Sequence, residues 1–207
     1  MTFFLRLAAV ALLFLLAGCA SIRSDMNQLD EKTSCCRTFA DVKFGNTLKG
    51  ETITIEINSE SPVFSFDSGK AFFAAFELDS EASRRTLHLR TFFYGLTAID
   101  AHFLYPVVAF LDRNYNIVTI AYPENLKYDP FGWQKKATWV GTIPVPTTAK
   151  YGIVHTPRNK VDTKFSGPAY AVGSTYMIGK TFLTIPGGNV TAVATFGGTG
   201  TLSVTLK

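Results

Sequence analysis

Three histidines and three cysteines are the side chains of this 207-residue chain best suited to catalysis or metal binding. By pattern His88 lies within a strand, with Arg90 on the same face. His102 follows Asp100 ahead of an apolar run, and His155 closes the segment YGIVH. None has a second His or Cys at the spacing a metal site needs, so no metal site is expected. No G-x-S-x-G turn marks a serine nucleophile. The three histidines read as ordinary strand or loop residues, and the chain reads as a non-enzyme with no cofactor. GSTYMIGKT, Gly173 to Thr181, imitates a phosphate loop but has five residues between its glycines where that loop needs four. No helix-forming segment follows it, so nucleotide binding is not expected.

The densest ring cluster outside the alternating segments is Tyr128-Asp129-Pro130-Phe131-Gly132-Trp133. Aromatic faces stack on the C–H surface of sugars, and a carboxylate accepts hydrogen bonds from their hydroxyls. Tyr128, Asp129, Phe131 and Trp133 are therefore candidate carbohydrate-binding residues. The competing reading makes these rings a plug at one end of the fold.

The cysteines have separate roles. Leu7 to Leu16 is an unbroken apolar run of ten residues after Arg6, ending in Leu16-Ala17-Gly18-Cys19. This is a short export signal rather than a permanent membrane span. A cysteine directly after Leu-Ala-Gly resembles a bacterial lipobox, which implies cleavage after residue 18 and lipidation of Cys19. Three acyl chains exceed what stable anchoring requires. No Asp follows at the next position, which implies the outer membrane, with the domain facing the periplasm. Residues 19–34 then read as a lipidated flexible tether. The fifteen residues after Cys19 would average roughly 20 Å end to end. Cys35 and Cys36 are neighbours in an oxidising compartment. A disulfide between them, two free thiols and an intermolecular bridge are all open to the pair.

These side chains must be positioned by β-structure. ETITIEIN, Glu51 to Asn58, alternates strictly, and Leu87 to Phe93 and Thr201 to Leu206 do the same. SPVFSFDSGKAFFAAFELD carries five phenylalanines in nineteen residues around the turn signal DSGK, and predicts a hairpin. Phe64, Phe66, Phe72, Phe76 and Leu78 are expected in its core, with Phe73 and Phe92 left on uncovered faces. Further strands are predicted over Phe103 to Leu111 and Ile117 to Ala121. Trp139 to Val145 should pair with Tyr151 to Thr156. Pro123 to Thr138 and Pro157 to Val190 read as long connections, the second with room for a short hairpin. The expected fold is all-β, an antiparallel, jelly-roll-like sandwich forming a single domain over residues 35–207. Scattered charges, with a net charge of +4 before cleavage and no long basic run, argue against a nucleic-acid partner.

Several segments, in order, resemble the maltose-operon periplasmic protein family. They are CCRTFADVKF, the phenylalanine hairpin, VVAFLDRNYNIV, WVGTIPVP with KYGIVHTP, and the closing GTGTLSVTLK. The resemblance spans about residues 35–207 and implies an exported envelope protein associated with maltodextrin uptake. It supplies no catalytic residue, and the lipobox departs from members of soluble periplasmic type. The resulting expectation is a lipid-anchored, non-enzymatic accessory of maltose or maltodextrin uptake that binds an oligosaccharide or a transport component. The alternative is a structural or assembly lipoprotein that binds another envelope protein.

Overall fold

A computed structural model describes residues 22–79, 85–93, 102–129, 137–171, 173–178, 181–185 and 187–207. One helix, α1 (Ile22–Glu31), precedes sixteen strands among these residues. They are β1 (Asn46–Leu48), β2 (Thr52–Ile57), β3 (Val63–Phe66), β4 (Gly69–Leu78), β5 (Thr86–Phe92), β6 (His102–Leu104), β7 (Val107–Leu111) and β8 (Ile117–Ala121). After these come β9 (Glu124–Asp129), β10 (Thr138–Pro144), β11 (Tyr151–His155), β12 (Lys164–Ala171), β13 (Ser174–Ile178), β14 (Thr181–Ile185), β15 (Gly188–Gly197) and β16 (Gly200–Leu206).

Two sheets form the body. One runs β1-β4-β11-β7-β8, with β3 also on β4; the other runs β2-β16-β5-β10-β9. Most pairs are antiparallel, and the fold is the expected all-β sandwich; β1 with β4 and β6 with β15 are parallel. Alternation sets which face is buried. Ile55, Ile57, Leu87, Leu89, Leu202, Val204 and Leu206 from one sheet meet Phe72, Phe76, Leu78, Val108, Phe110 and Val154 from the other. Phe76 lies over Gly152, its register partner on β11. A Cβ at Gly152 would fall 2.4 Å from the ring, so the glycine makes room for the phenylalanine.

The DSGK hairpin forms as β3 and β4, but its rings divide between two layers. Phe72 and Phe76 enter the main core. Phe64, Phe66 and Phe73 gather on the outer side of the six-stranded sheet, against Cys36, Phe39, Val42 and Phe44. The expectation that Phe64 and Phe66 share the main core is therefore corrected, as is that of an uncovered Phe73, which is buried. The reason is a strap over residues 35–44, which places Cys36, Phe39, Val42 and Phe44 on that face. It is pinned at one end by the Cys35 N–H donating to the Val63 carbonyl at 2.8 Å. Asp41 accepts from the Thr38 N–H at 2.9 Å, the Thr38 hydroxyl at 3.0 Å and the Arg37 N–H at 3.2 Å. Those bonds, chiefly from Thr38, lower its pKa and hold the tight turn that presents Phe39. Cys35 and Cys36 are disulfide-bonded to each other.

Three further expectations change. The tether expected over residues 19–34 is a docked helix from Ile22 to Glu31. Ile22, Met26 and Leu29 follow a helical stripe, short enough to escape a reading dominated by polar residues. Leu29 is buried in the main core. Asp30 receives two bonds from Arg158, at 3.0 and 2.9 Å, and Asp25 accepts from the Thr199 hydroxyl at 2.5 Å. The predicted pairing of Trp139–Val145 with Tyr151–Thr156 does not occur. β10 belongs to one sheet and β11 to the other, so the turn between them crosses the sandwich. Both long connections also contain strands. β9 lies in the first; β12, the β13–β14 hairpin and the start of β15 lie in the second.

Candidate functional site

The outward faces of the two sheets differ in chemistry. On the five-stranded sheet, alternate residues of β5, β10 and β16 point away from the core. This leaves a polar groove of about 310 Å³ lined in part by Thr52, His88, Arg90, Phe92, Ser203 and Thr205. Register places these side chains in rows. Arg90 lies opposite Val140 on one side and Ser203 on the other, and His88 opposite Thr142 and Thr205. The Thr52 and Thr205 hydroxyls are 2.7 Å apart. At the edge, Asp129 approaches Arg90 at 4.0 Å, with both side chains partly exposed. A contact this long and wet adds little stability. The surface offers donors and acceptors in adjacent rows, with the half-buried Phe92 ring beside them.

The candidate sugar cluster is split by strand alternation. Tyr128 and Trp139 are register partners and both turn inward, ring centroids 5.4 Å apart. Tyr128 thus belongs to the small cluster of Phe103, Trp139 and Phe196. Burial, and next the charge of Asp129, raises its pKa. Asp129 turns outward to Arg90. Phe131 and Trp133 lie outside the described residues, as does Cys19. The groove residues His88, Arg90, Ser203 and Thr205 were not singled out for binding from the sequence. Their alternation was visible, but nothing short of the sheet order shows that β16 and β10 flank β5.

On the six-stranded sheet the outward face is apolar. The strap covers its β3–β4 side and leaves a cleft of about 340 Å³ toward β8. Phe39 stacks on Phe64 with centroids 4.6 Å apart, and Phe66 stacks flat on His155 at 3.9 Å and 6°. Across the cleft stand Ile117, Ile120 and Tyr122, which are 44, 40 and 51 % exposed. His155 is 2 % exposed, and neither ring nitrogen has a hydrogen-bond partner. Burial lowers its pKa from 6.5 to about 4. The Thr156 backbone pulls weakly the other way but lies outside hydrogen-bonding geometry with the ring. The Ser68 hydroxyl, at the cleft's rim, is also buried and unpartnered.

The remaining histidine is built into the framework. His102 is fully buried, with Nε2 3.4 Å from the Thr199 hydroxyl that bonds Asp25. Its ring lies over Gly197, where a Cβ would fall 2.2 Å away. Among the described residues no group of three His, Cys, Asp or Glu side chains could hold a metal ion. No described helix is long and apolar enough to cross a membrane. No protein-family model, curated protein or solved structure matches the chain.

Proposed function

We propose that this protein is an exported, lipid-anchored accessory of carbohydrate uptake that binds maltodextrin rather than converting it. The lipobox at Cys19 and the resemblance to maltose-operon periplasmic proteins supply the context. The observation that carries the binding reading is the polar groove around Arg90. Its rows of hydroxyl, imidazole and guanidinium groups suit a polyhydroxylated chain, and Phe92 offers a ring for stacking. The groove is shallow, so a modest affinity is expected, with a Kd on the order of 0.1–1 mM. Calorimetry against maltodextrins of increasing length tests this. Arg90→Ala should weaken binding about tenfold, the loss of roughly one charge-assisted hydrogen bond, while the melting temperature stays within a degree or two. Equal affinity in the variant would place the site elsewhere.

In this reading Cys19 is the only strong anchor, and α1 holds the lipid close to the sandwich. Cys19→Ser should therefore move the protein from the membrane fraction to the soluble fraction on fractionation. Retention in the membrane would remove the lipid from the account.

A second reading is favoured by one surface. Among the described residues, four of the six large exposed hydrophobics, Ile117, Val118, Ile120 and Tyr122, lie together on and just after β8. Such a patch suits another envelope protein. A calorimetric blank with every maltodextrin, together with a cross-linked partner at β8, would put this reading first.

A further inference from the structure

The cleft on the six-stranded sheet is separate from the Arg90 groove and has different chemistry. Its lining is dominated by ring and aliphatic carbon. Phe39, Phe64 and Phe66 stand on one side, Ile117 and Ile120 on the other, with Ala109 between. A volume of about 340 Å³ lies near the lower end of the range for ligand pockets and suits a body of one or two rings. A hydrogen-bond-hungry sugar would leave most of its hydroxyls unpaired there.

The polar atoms are few and specific. His155 is 2 % exposed and lines the cleft with both ring nitrogens unpartnered. A buried imidazole left without a partner is costly. A ligand bearing one O–H or N–H would pair the acceptor nitrogen of the neutral imidazole, once the half-buried Phe66 ring stacked on it shifts to open that buried atom to the cleft. The Ser68 hydroxyl is a second unpartnered group at the same rim. Charge narrows the choice further. Among the described residues no lysine or arginine lines the cleft, and the one carboxylate, Asp67, is exposed at the edge. A carboxylate or phosphate ligand would meet no countercharge and one repulsion.

Shape favours an aromatic body. Phe39 stacks on Phe64 and Phe66 on His155; Phe64 and His155 are buried, so the half-buried Phe39 and Phe66 are the rings presented to the cleft. Flat and edge-on partners are what an incoming ring prefers. We propose that the cleft binds a small neutral aromatic compound of one or two rings, through a single O–H or N–H donated to His155. This proposal does not depend on the carbohydrate reading, since the two sites lie on opposite outward faces.

The test compares p-cresol with its isostere p-xylene, which lacks the hydroxyl, and with the anion 4-methylbenzoate. Equilibrium dialysis of the purified full-length protein fixes the free concentration of each. p-Cresol is expected to bind with a Kd of about 0.1 mM and about tenfold more tightly than either analogue. His155→Phe should keep p-xylene binding and erase the preference for p-cresol. If that variant does not fold, the wild-type protein still decides the matter: the ring-nitrogen NMR signals of His155 should shift with p-cresol and stay nearly still with p-xylene. Equal affinities for p-cresol and p-xylene, tighter binding of 4-methylbenzoate, or no saturable binding of p-cresol up to about 10 mM would each overturn the proposal.

Discussion

Replacing Phe76 with alanine is expected to lower the free energy of unfolding by about 3–5 kcal/mol. The ring is 1 % exposed and belongs to the cluster that joins the two sheets. It also occupies the space that Gly152 leaves open on β11. Truncation removes that filling from a site whose backbone is held by register on both sides of β4, so collapse into the cavity is limited. The same change at Phe66 is expected to cost less than half as much. That ring is only half-buried, beside a cleft already open to solvent. Chemical unfolding of both variants measures the difference. Equal losses would mean that the outer ring layer supports the fold as strongly as the inter-sheet core.

Acidification is expected to remove about 3 kcal/mol of stability from the wild-type protein between pH 6.5 and pH 4, beyond what a His155→Phe variant loses. The sign follows from the lowered pKa. In the folded chain His155 titrates at about 4 because burial penalises the imidazolium; in the unfolded chain it titrates near 6.5. Between those values the unfolded state binds the extra proton, so stability is fully present above pH 6.5 and drains away as pH falls toward 4. Exposed carboxylates with lowered pKa values, Asp41 and Asp112, contribute at the acid end in both proteins and cancel in the comparison. Denaturant titrations at pH 7.5, 5.5 and 4 would show the stability difference between the two proteins moving in the variant's favour by that amount. Parallel curves would mean that His155 finds a partner that accepts its proton when folded.

The strands that alternate apolar and polar residues were legible in the sequence. β2, β5 and β16 fall where alternation puts them, because a half-buried strand needs one apolar face. The division of the phenylalanine hairpin was not legible. Alternation says that Phe72 and Phe73 face opposite ways, but it does not reveal that a distant strap covers one side and a second sheet the other. α1 was missed for a related reason. Three apolar residues among charges carry little weight until a surface exists to receive them, and that surface comes from β4 and the chain around Gly198 and Thr199. β9 was concealed by its composition, ENLKYD, which suits an exposed sheet edge. The candidate site was half legible. Asp129 does face outward toward a polar groove, but Tyr128 turns inward onto Trp139. The groove itself is assembled from strands more than a hundred residues apart in sequence.

The most direct test of the binding account is an NMR titration of the isotopically labelled protein with maltoheptaose, read at backbone amides. The account predicts shifts concentrated on His88, Arg90, Phe92, Val140 and Ser203, saturating with a Kd on the order of 0.1–1 mM and absent from β8 and the strap. Shifts confined to the Ile117–Tyr122 edge, or no shifts at ten times that concentration, would contradict it.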